Sequence, residues 1–119
     1  MANIVAQEPD GAVVGWACLG PYREENASTT QEGGLYALYV RPDRIGHGFG
    51  RTLTEAALDH ANAQGFPWVR LWVLEGNARA RRFYERAGFA PDGGLEPFVV
   101  DGVPVPEVRY ARRLGGAAR

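Results

Sequence analysis

The chain contains no lysine; all thirteen of its basic residues are arginine. It has no lysine side chain of its own to modify, and it lacks the lysine that completes an ATP-type P-loop. Cysteine occurs once, at Cys18. A lone cysteine excludes an internal disulfide and suits a reducing cytoplasm, where the chain is expected to work. Set in an apolar strand pattern, Cys18 reads as a small buried hydrophobe rather than a nucleophile. No apolar run is long enough to cross a membrane, and no basic-then-apolar leader opens the chain, so no membrane partner is expected. The net charge of −1 offers no basic surplus for nucleic acid. No internal repeat is present, and no metal site is expected.

What the chain does have is glycine in a telling place. Leu35-Tyr36-Ala37-Leu38-Tyr39-Val40 is an apolar strand pattern that runs into Pro42. Gly46, Gly48 and Gly50 then alternate through G-H-G-F-G, and a helical pattern starts at Phe49. The first N–H groups of a helix have no intrahelical partner, and the macrodipole leaves that end partly positive. Glycines let a ligand approach the bare backbone, which makes a site for phosphate or pyrophosphate. The ATP-type loop needs Gly-Lys-Ser/Thr, whereas Arg51 follows Gly50. The dinucleotide fingerprint G-x-G-x-x-G is one residue wider, and no acidic residue ends a second strand to take a ribose. A tight turn around a single pyrophosphate remains, beside the plain alternative of a ligand-free strand-to-helix turn.

At 119 residues the chain is long enough for one core. We expect a single domain over residues 1–114 and a disordered tail at 115–119. Strand and helix patterns mix to give an α/β (α+β) chain. Residues 4–7 and 12–19 read as a hairpin about Pro9-Asp10-Gly11. Residues 21–34 are polar and read as a loop. A strand is expected at 35–40 and a helix at 48–64, with Phe49, Leu53, Ala56, Ala57 and Ala61 on one face and Gly65 as its stop. In the strand 68–74, Val69, Leu71 and Val73 line one face and Trp68, Arg70 and Trp72 the other. Asn77 can cap a helix over 78–86, closed by Gly88, with Ala80 and Phe83 packed inward together. Residues 98–100 and 108–111 form a last hairpin about Asp101-Gly102.

Three segments together, L-Y-A-L-Y-V-R-P, G-H-G-F-G-R-T-L and N-A-R-A-R-R-F-Y-E-R-A-G-F, resemble the GNAT superfamily of acyl-CoA-dependent N-acyltransferases. With the final hairpin the resemblance covers most of residues 34–114. It implies a mixed, mostly antiparallel sheet with a strand–glycine turn–helix cofactor site. It also implies a reaction, acetyl transfer from acetyl-CoA to a primary amine by direct attack on the thioester. In that reading the backbone of Leu38 and Val40 pairs with the pantetheine arm like an added strand. The turn of Ile45, Gly46, His47, Gly48, Phe49, Gly50 and Arg51 holds the pyrophosphate, and Asn77 hydrogen-bonds the arm. Tyr84 protonates the departing thiolate, a role suited to a phenol with an ordinary pKa near 10. A backbone N–H near Tyr39 or Val40 stabilises the oxyanion.

The chain also departs from the family pattern. Ile45 stands where the family has Gln or Arg, with Arg44 one position off. Gly34 stands where many members carry a basic glutamate, which leaves Glu32, two residues earlier, as the candidate base if the strand extends back that far. His47 reads as a solvent-facing loop residue. The usual opening strand and two helices have no counterpart, which a truncated gene start, a fragment of a larger arrangement or a short protein that completes its acceptor wall by dimerising would each explain; because an exposed strand edge invites pairing, a homodimer is expected. It would bury Trp68 and Trp72 with Val99 and Val103. Two alternatives stay open, a non-catalytic acyl-CoA-binding domain and an interaction module that keeps the fold without the ligand.

Overall fold

The computed structural model describes residues 1–23 and 29–114. The chain order is β1 (Ala2–Gln7), β2 (Val13–Arg23), β3 (Thr29–Val40), a 3-10 turn (Pro42–Arg44), α1 (Phe49–Ala63), β4 (Trp68–Leu74), α2 (Ala78–Arg86), β5 (Ala90–Val100) and β6 (Val103–Arg113). The strands form one six-stranded sheet in the order β1-β2-β3-β4-β6-β5. Every neighbouring pair is antiparallel except β3–β4, which is parallel and is joined only at Gly33–Val69 and Gly34–Arg70. Past that point β3 runs on to Val40 and β4 to Leu74 without pairing, so the two strands part in a V. The V divides the sheet into two halves, β1–β2–β3 and β4–β6–β5.

Both helices lie over one face. Leu53, Ala57 and Ala61 of α1 are buried against Ala17, Leu19, Leu35, Val69, Leu71 and Val73, and Ala80 and Tyr84 of α2, with its C-cap Ala87, pack against the same cluster. The strand periodicity of Val69, Leu71 and Val73 thus points at the helices, as expected. The inward row of α2 is Ala80–Tyr84–Ala87, three and four residues apart; Phe83, expected beside Ala80, lies on the neighbouring row.

The two helices end alike. Gly65 and Gly88 take positive φ (82° and 92°), and the next N–H groups, of Phe66 and Phe89, reach back to the carbonyls of Ala61 and Tyr84. These are Schellman caps, which glycine allows because it bears no Cβ.

Two expectations need correction. Residues 21–34, expected as a loop, are largely strand: β2 continues to Arg23 and β3 begins at Thr29. Pro21 is tolerated because β1 ends opposite Leu19, so β2 has one neighbour there. The Tyr36 hydroxyl donates to the Pro21 carbonyl at 2.6 Å and accepts from Arg23 N–H, tying the two strands together. The middle of that segment, 24–28, and the expected tail at 115–119 lie outside the described residues. The last hairpin is also longer than expected. Its turn is Asp101-Gly102, both at positive φ. Its prolines are tolerated because Pro91 and Pro97 are on the sheet's edge strand, and Pro104 and Pro106 lie beyond the end of β4, which pairs only as far as Glu107.

Candidate functional site

Where β3 and β4 part, a cleft of about 510 Å³ opens, lined from β3 by Leu38 and Val40, from the turn by Ile45, Gly46, Gly48, Gly50 and Arg51, and from α2 and its cap by Asn77, Arg79, Ala80, Phe83, Tyr84 and Arg86. Nine of the expected site residues therefore meet in one place. His47 and Phe49 belong to the same turn but do not line the cleft. Glu32 also lies outside the lining, on the β3 side of the seam.

The strand edge in the cleft is free for backbone pairing. Arg41 N–H is bonded to Val14 C=O across to β2. Alternation along β3 then turns Tyr39 toward β2, and Leu38 and Val40 toward the V.

His47 N–H is taken by Arg44 C=O at 3.3 Å, but the end of the turn presents donors without helical acceptors. Gly46 and Gly48 hold φ of 90° and 89°. Gly48 is the N-cap of α1; no side chain caps it and no acidic residue occupies the first turn. The first intrahelical bond at this end is Thr52 N–H to Gly48 C=O, which leaves the N–H groups of Phe49, Gly50 and Arg51 without helical partners. A Cβ on Gly50 would stand 3.4 Å from the Phe83 ring and 3.7 Å from Val40, in ordinary contact with both walls. Arg51, Arg79 and Arg86 add three guanidinium groups, and Arg79 and Arg86 have no ion-pair partner among the described residues. This donor set fits a pyrophosphate.

Arg44, one position from where the family's side-chain ligand stands, is committed elsewhere. Its guanidinium donates to both oxygens of Glu8 (2.7 and 3.1 Å) and to Asp43. That fork anchors the glycine turn to the β1–β2 hairpin.

Asn77 caps α2 by accepting from Ala80 N–H at 3.1 Å through Oδ1. The cap assigns the oxygen and leaves the amide NH₂ as a donor at the cleft. Tyr84 is fixed from two sides. Its carbonyl accepts Phe89 N–H, and its ring meets Phe83 and Phe89 edge-on at 5.4 and 5.8 Å. Burial pushes its phenol above the ordinary value, so the group keeps its proton at neutral pH.

Glu32 has a different setting. Its carboxylate takes two bonds from Arg70, at 2.7 and 3.2 Å. The Arg70 guanidinium holds it below the ordinary carboxylate range.

Sequence reasoning missed Arg79, Phe83 and Arg86 as lining residues. Their spacing, i, i+4 and i+7, marks one face of α2 and was present to be read. Cys18, expected to be buried, is half-buried. Among the described residues no cluster of three His, Cys, Asp or Glu side chains is arranged to hold a metal, and no helix is long and apolar enough to cross a membrane.

The half-split sheet thus brings a donor-bearing glycine turn and a proton-bearing phenol together at the split. The acetyltransferase (GNAT) family model matches residues 3–89. The chain belongs to that family. It is 41% identical over 88 residues to mycothiol acetyltransferase of Beutenbergia cavernae, a match covering 74% of this chain and 28% of the other. It is 34% identical over 105 residues to the uncharacterized N-acetyltransferase YuaI of Bacillus subtilis, covering 87% of this chain and 58% of that one. Among solved structures, ribosomal-protein-alanine N-acetyltransferase from Brucella melitensis superposes with a TM-score of 0.82 at 25% identity, over 94% of this chain and 68% of that one. The chain thus spans under a third of the mycothiol acetyltransferase it matches and just over half of YuaI.

Proposed function

We propose that the chain is an acetyl-CoA-dependent N-acetyltransferase acting on a primary amine. One observation carries this reading: a free strand edge, a donor-rich glycine turn and a protonated phenol converge where β3 and β4 part. When bound, acetyl-CoA supplies a thioester whose carbonyl carbon the amine attacks, so that a C–N bond forms and the C–S bond breaks.

The chain's own residues do the rest. Leu38 and Val40 hold the pantetheine arm through their backbone. The turn from Gly46 to Arg51 holds the pyrophosphate, through Phe49, Gly50 and Arg51 N–H above all, with Ile45 and His47 as part of its frame. The Asn77 amide donates to the arm. Of the two expected oxyanion donors, Val40 N–H faces the V and Tyr39 N–H faces β2, so Val40 takes the role. Tyr84 gives its proton to the leaving sulfur. The amine's proton passes to water, because Arg70 engages the Glu32 carboxylate.

Incubation with acetyl-CoA and a library of amines, followed by free thiol, tests the proposal. Thiol release with an amine supports it. Binding of acetyl-CoA without release from any amine would leave a binding domain instead.

The proposal includes a cytoplasmic setting and a homodimer. Guanidinium groups stack over Trp68 and Trp72 at 5.3 and 5.7 Å, so these rings are not the open apolar surface. Val5, Trp16 and Tyr39, paired across β1, β2 and β3, are exposed, and a second copy seated there would cover them. Light scattering that returns a monomer of 13.0 kDa at micromolar concentration overturns the dimer.

A further inference from the structure

Among the described residues, the seam between the two half-sheets is the shortest strand pairing in the sheet. Only two residue pairs cross it, and on the β3 side both are glycines, Gly33 and Gly34. Neither can contribute a cross-strand side-chain pair. Glycine is nonetheless required at both places: a Cβ on Gly33 would come within 2.9 Å of the Phe66 ring, and one on Gly34 within 2.9 Å of the Tyr36 ring. The backbone seam is therefore short and has no side-chain pairs of its own.

A charged cluster spans it. From the β1–β2–β3 half come Tyr22 and Glu32; from the β4–β6–β5 half come Arg70, Asp92 and Arg109. Arg70 donates through Nε and Nη2 to the two Glu32 oxygens and through Nη1 to Asp92. Arg109 donates from Nε to Asp92 at 2.8 Å and from Nη1 to the Tyr22 hydroxyl at 3.2 Å. Two of these contacts, Glu32–Arg70 and Tyr22–Arg109, cross the seam. The cluster is built in rather than incidental. All four charged side chains are no more than 25% exposed. The guanidinium groups lie over Trp68 and Trp72. Gly94 donates its N–H to Asp92 and leaves room for Arg109, whose Cβ would stand 2.7 Å from a Cβ at that position.

We propose that Glu32 is a positioning residue: with Arg70, Asp92, Arg109 and Tyr22 it forms a latch at the apex of the V that fixes the angle between the half-sheets, and so the width of the acyl-CoA cleft. The inference rests on the acetyltransferase reading for its ligand. It differs from the base role by what it makes of Arg70. In a latch the carboxylate and the guanidinium act as one unit, whereas a base acts alone and is hindered by its arginine.

The test is a double-mutant cycle on E32Q, R70Q and the pair, read first as acetyl-CoA affinity by titration calorimetry and then as steady-state kinetics across pH. The latch predicts that each single change weakens acetyl-CoA about tenfold and that the double change is no worse than the poorer single, since coupled neighbours are not additive. It also predicts that KM for acetyl-CoA rises while kcat falls less, and that E32Q leaves the acid limb of the kcat profile where it was. Additive losses, or a fall in kcat with unchanged acetyl-CoA affinity and a lost acid limb in E32Q, would overturn it. Y22F, which removes one oxygen from the other seam contact, carries the affinity test if the charge variants fail to fold; unchanged affinity there counts against the latch. Because affinity is read without turnover, a wild-type protein that binds acetyl-CoA but acetylates no amine defeats the acetyltransferase reading and leaves the latch to be judged on its own result.

Discussion

Gly48→Ala isolates the backbone of the pyrophosphate turn from every other contribution. Gly48 sits at φ 89° and ψ −2°, and a Cβ placed there meets no heavy atom within 4 Å. The substitution therefore introduces no clash and removes no side chain; its whole effect is conformational. Holding an alanine in the left-handed region costs roughly 1–2 kcal/mol. In a domain of this size that lowers the melting temperature by roughly 4–10 °C. Gly50→Ala is the natural control, because Gly50 lies inside α1 and its Cβ would be in ordinary contact with Phe83 and Val40; it should melt near the wild type. The second arm is acetyl-CoA. A ligand at a hundred times its Kd stabilises the native state by about 2.7 kcal/mol. If the turn relaxes to relieve the alanine, its N–H groups no longer converge, and G48A should lose most of that ligand-induced shift. Thermal melts with and without acetyl-CoA read both quantities. A G48A protein that melts with the wild type, or that keeps the full acetyl-CoA shift, would refute the claim that the left-handed backbone here makes the anion site.

Other consequences can be checked independently. Tyr84→Phe keeps the ring between Phe83 and Phe89 and removes only the hydroxyl, so turnover should fall on the order of 10²-fold with acetyl-CoA affinity unchanged. Burial raises the Tyr84 pKa, so the donor is lost only as pH climbs past about 10; a basic limb of kcat below that, absent in Y84F, would contradict the assignment. Tyr110 is fully buried, donates to Glu85 at 2.7 Å and accepts from Arg81 at 2.9 Å, so Tyr110→Phe should cost roughly 1–3 kcal/mol in denaturant unfolding by removing two hydrogen bonds to charged groups. Arg70 holds Glu32 below the ordinary carboxylate range. Asp92 is likewise held low, by Gly94 N–H and Arg109 against the opposing effect of burial. Their stabilisation is complete above the unfolded-state pKa and is lost as pH falls through the lowered folded values. Stability should therefore decline below about pH 4, and a melting temperature flat to pH 2 would refute this.

Much of the cleft was legible because its parts are local. The strand into the turn, the alternating glycines, the Asn77 cap and the Gly-Phe helix ends are each written within a few neighbouring residues, and each has one physical solution. What failed depended on distant neighbours. Whether Pro21 breaks a strand depends on where β1 stops, and whether Pro104 and Pro106 do so depends on where β4 stops; neither is visible along the chain. The setting of Glu32 was hidden for the same reason. Its ligand, Arg70, is 38 positions away and becomes a neighbour only through the parallel crossover. The row Arg79–Phe83–Arg86 was written locally and was overlooked because Tyr84, beside it, drew the functional reading.

The division of the sheet has a bearing on how the molecule assembles. Each half is made from one continuous stretch, with α1 between them, so most strand pairing closes short loops, and only the seam joins the two stretches edge to edge. Short closures form early, and the long-range pairings, β4–β6 and the parallel joint, late. In native-state hydrogen exchange, the amides around Gly33, Gly34, Val69 and Arg70 should then open at lower free energy than those of the β1–β2 ladder. Bound acetyl-CoA, bridging the two strands just beyond that joint, should slow them. The cleft thus belongs to the late-forming part of the domain, and its ligand would join the two halves where their own pairing is shortest.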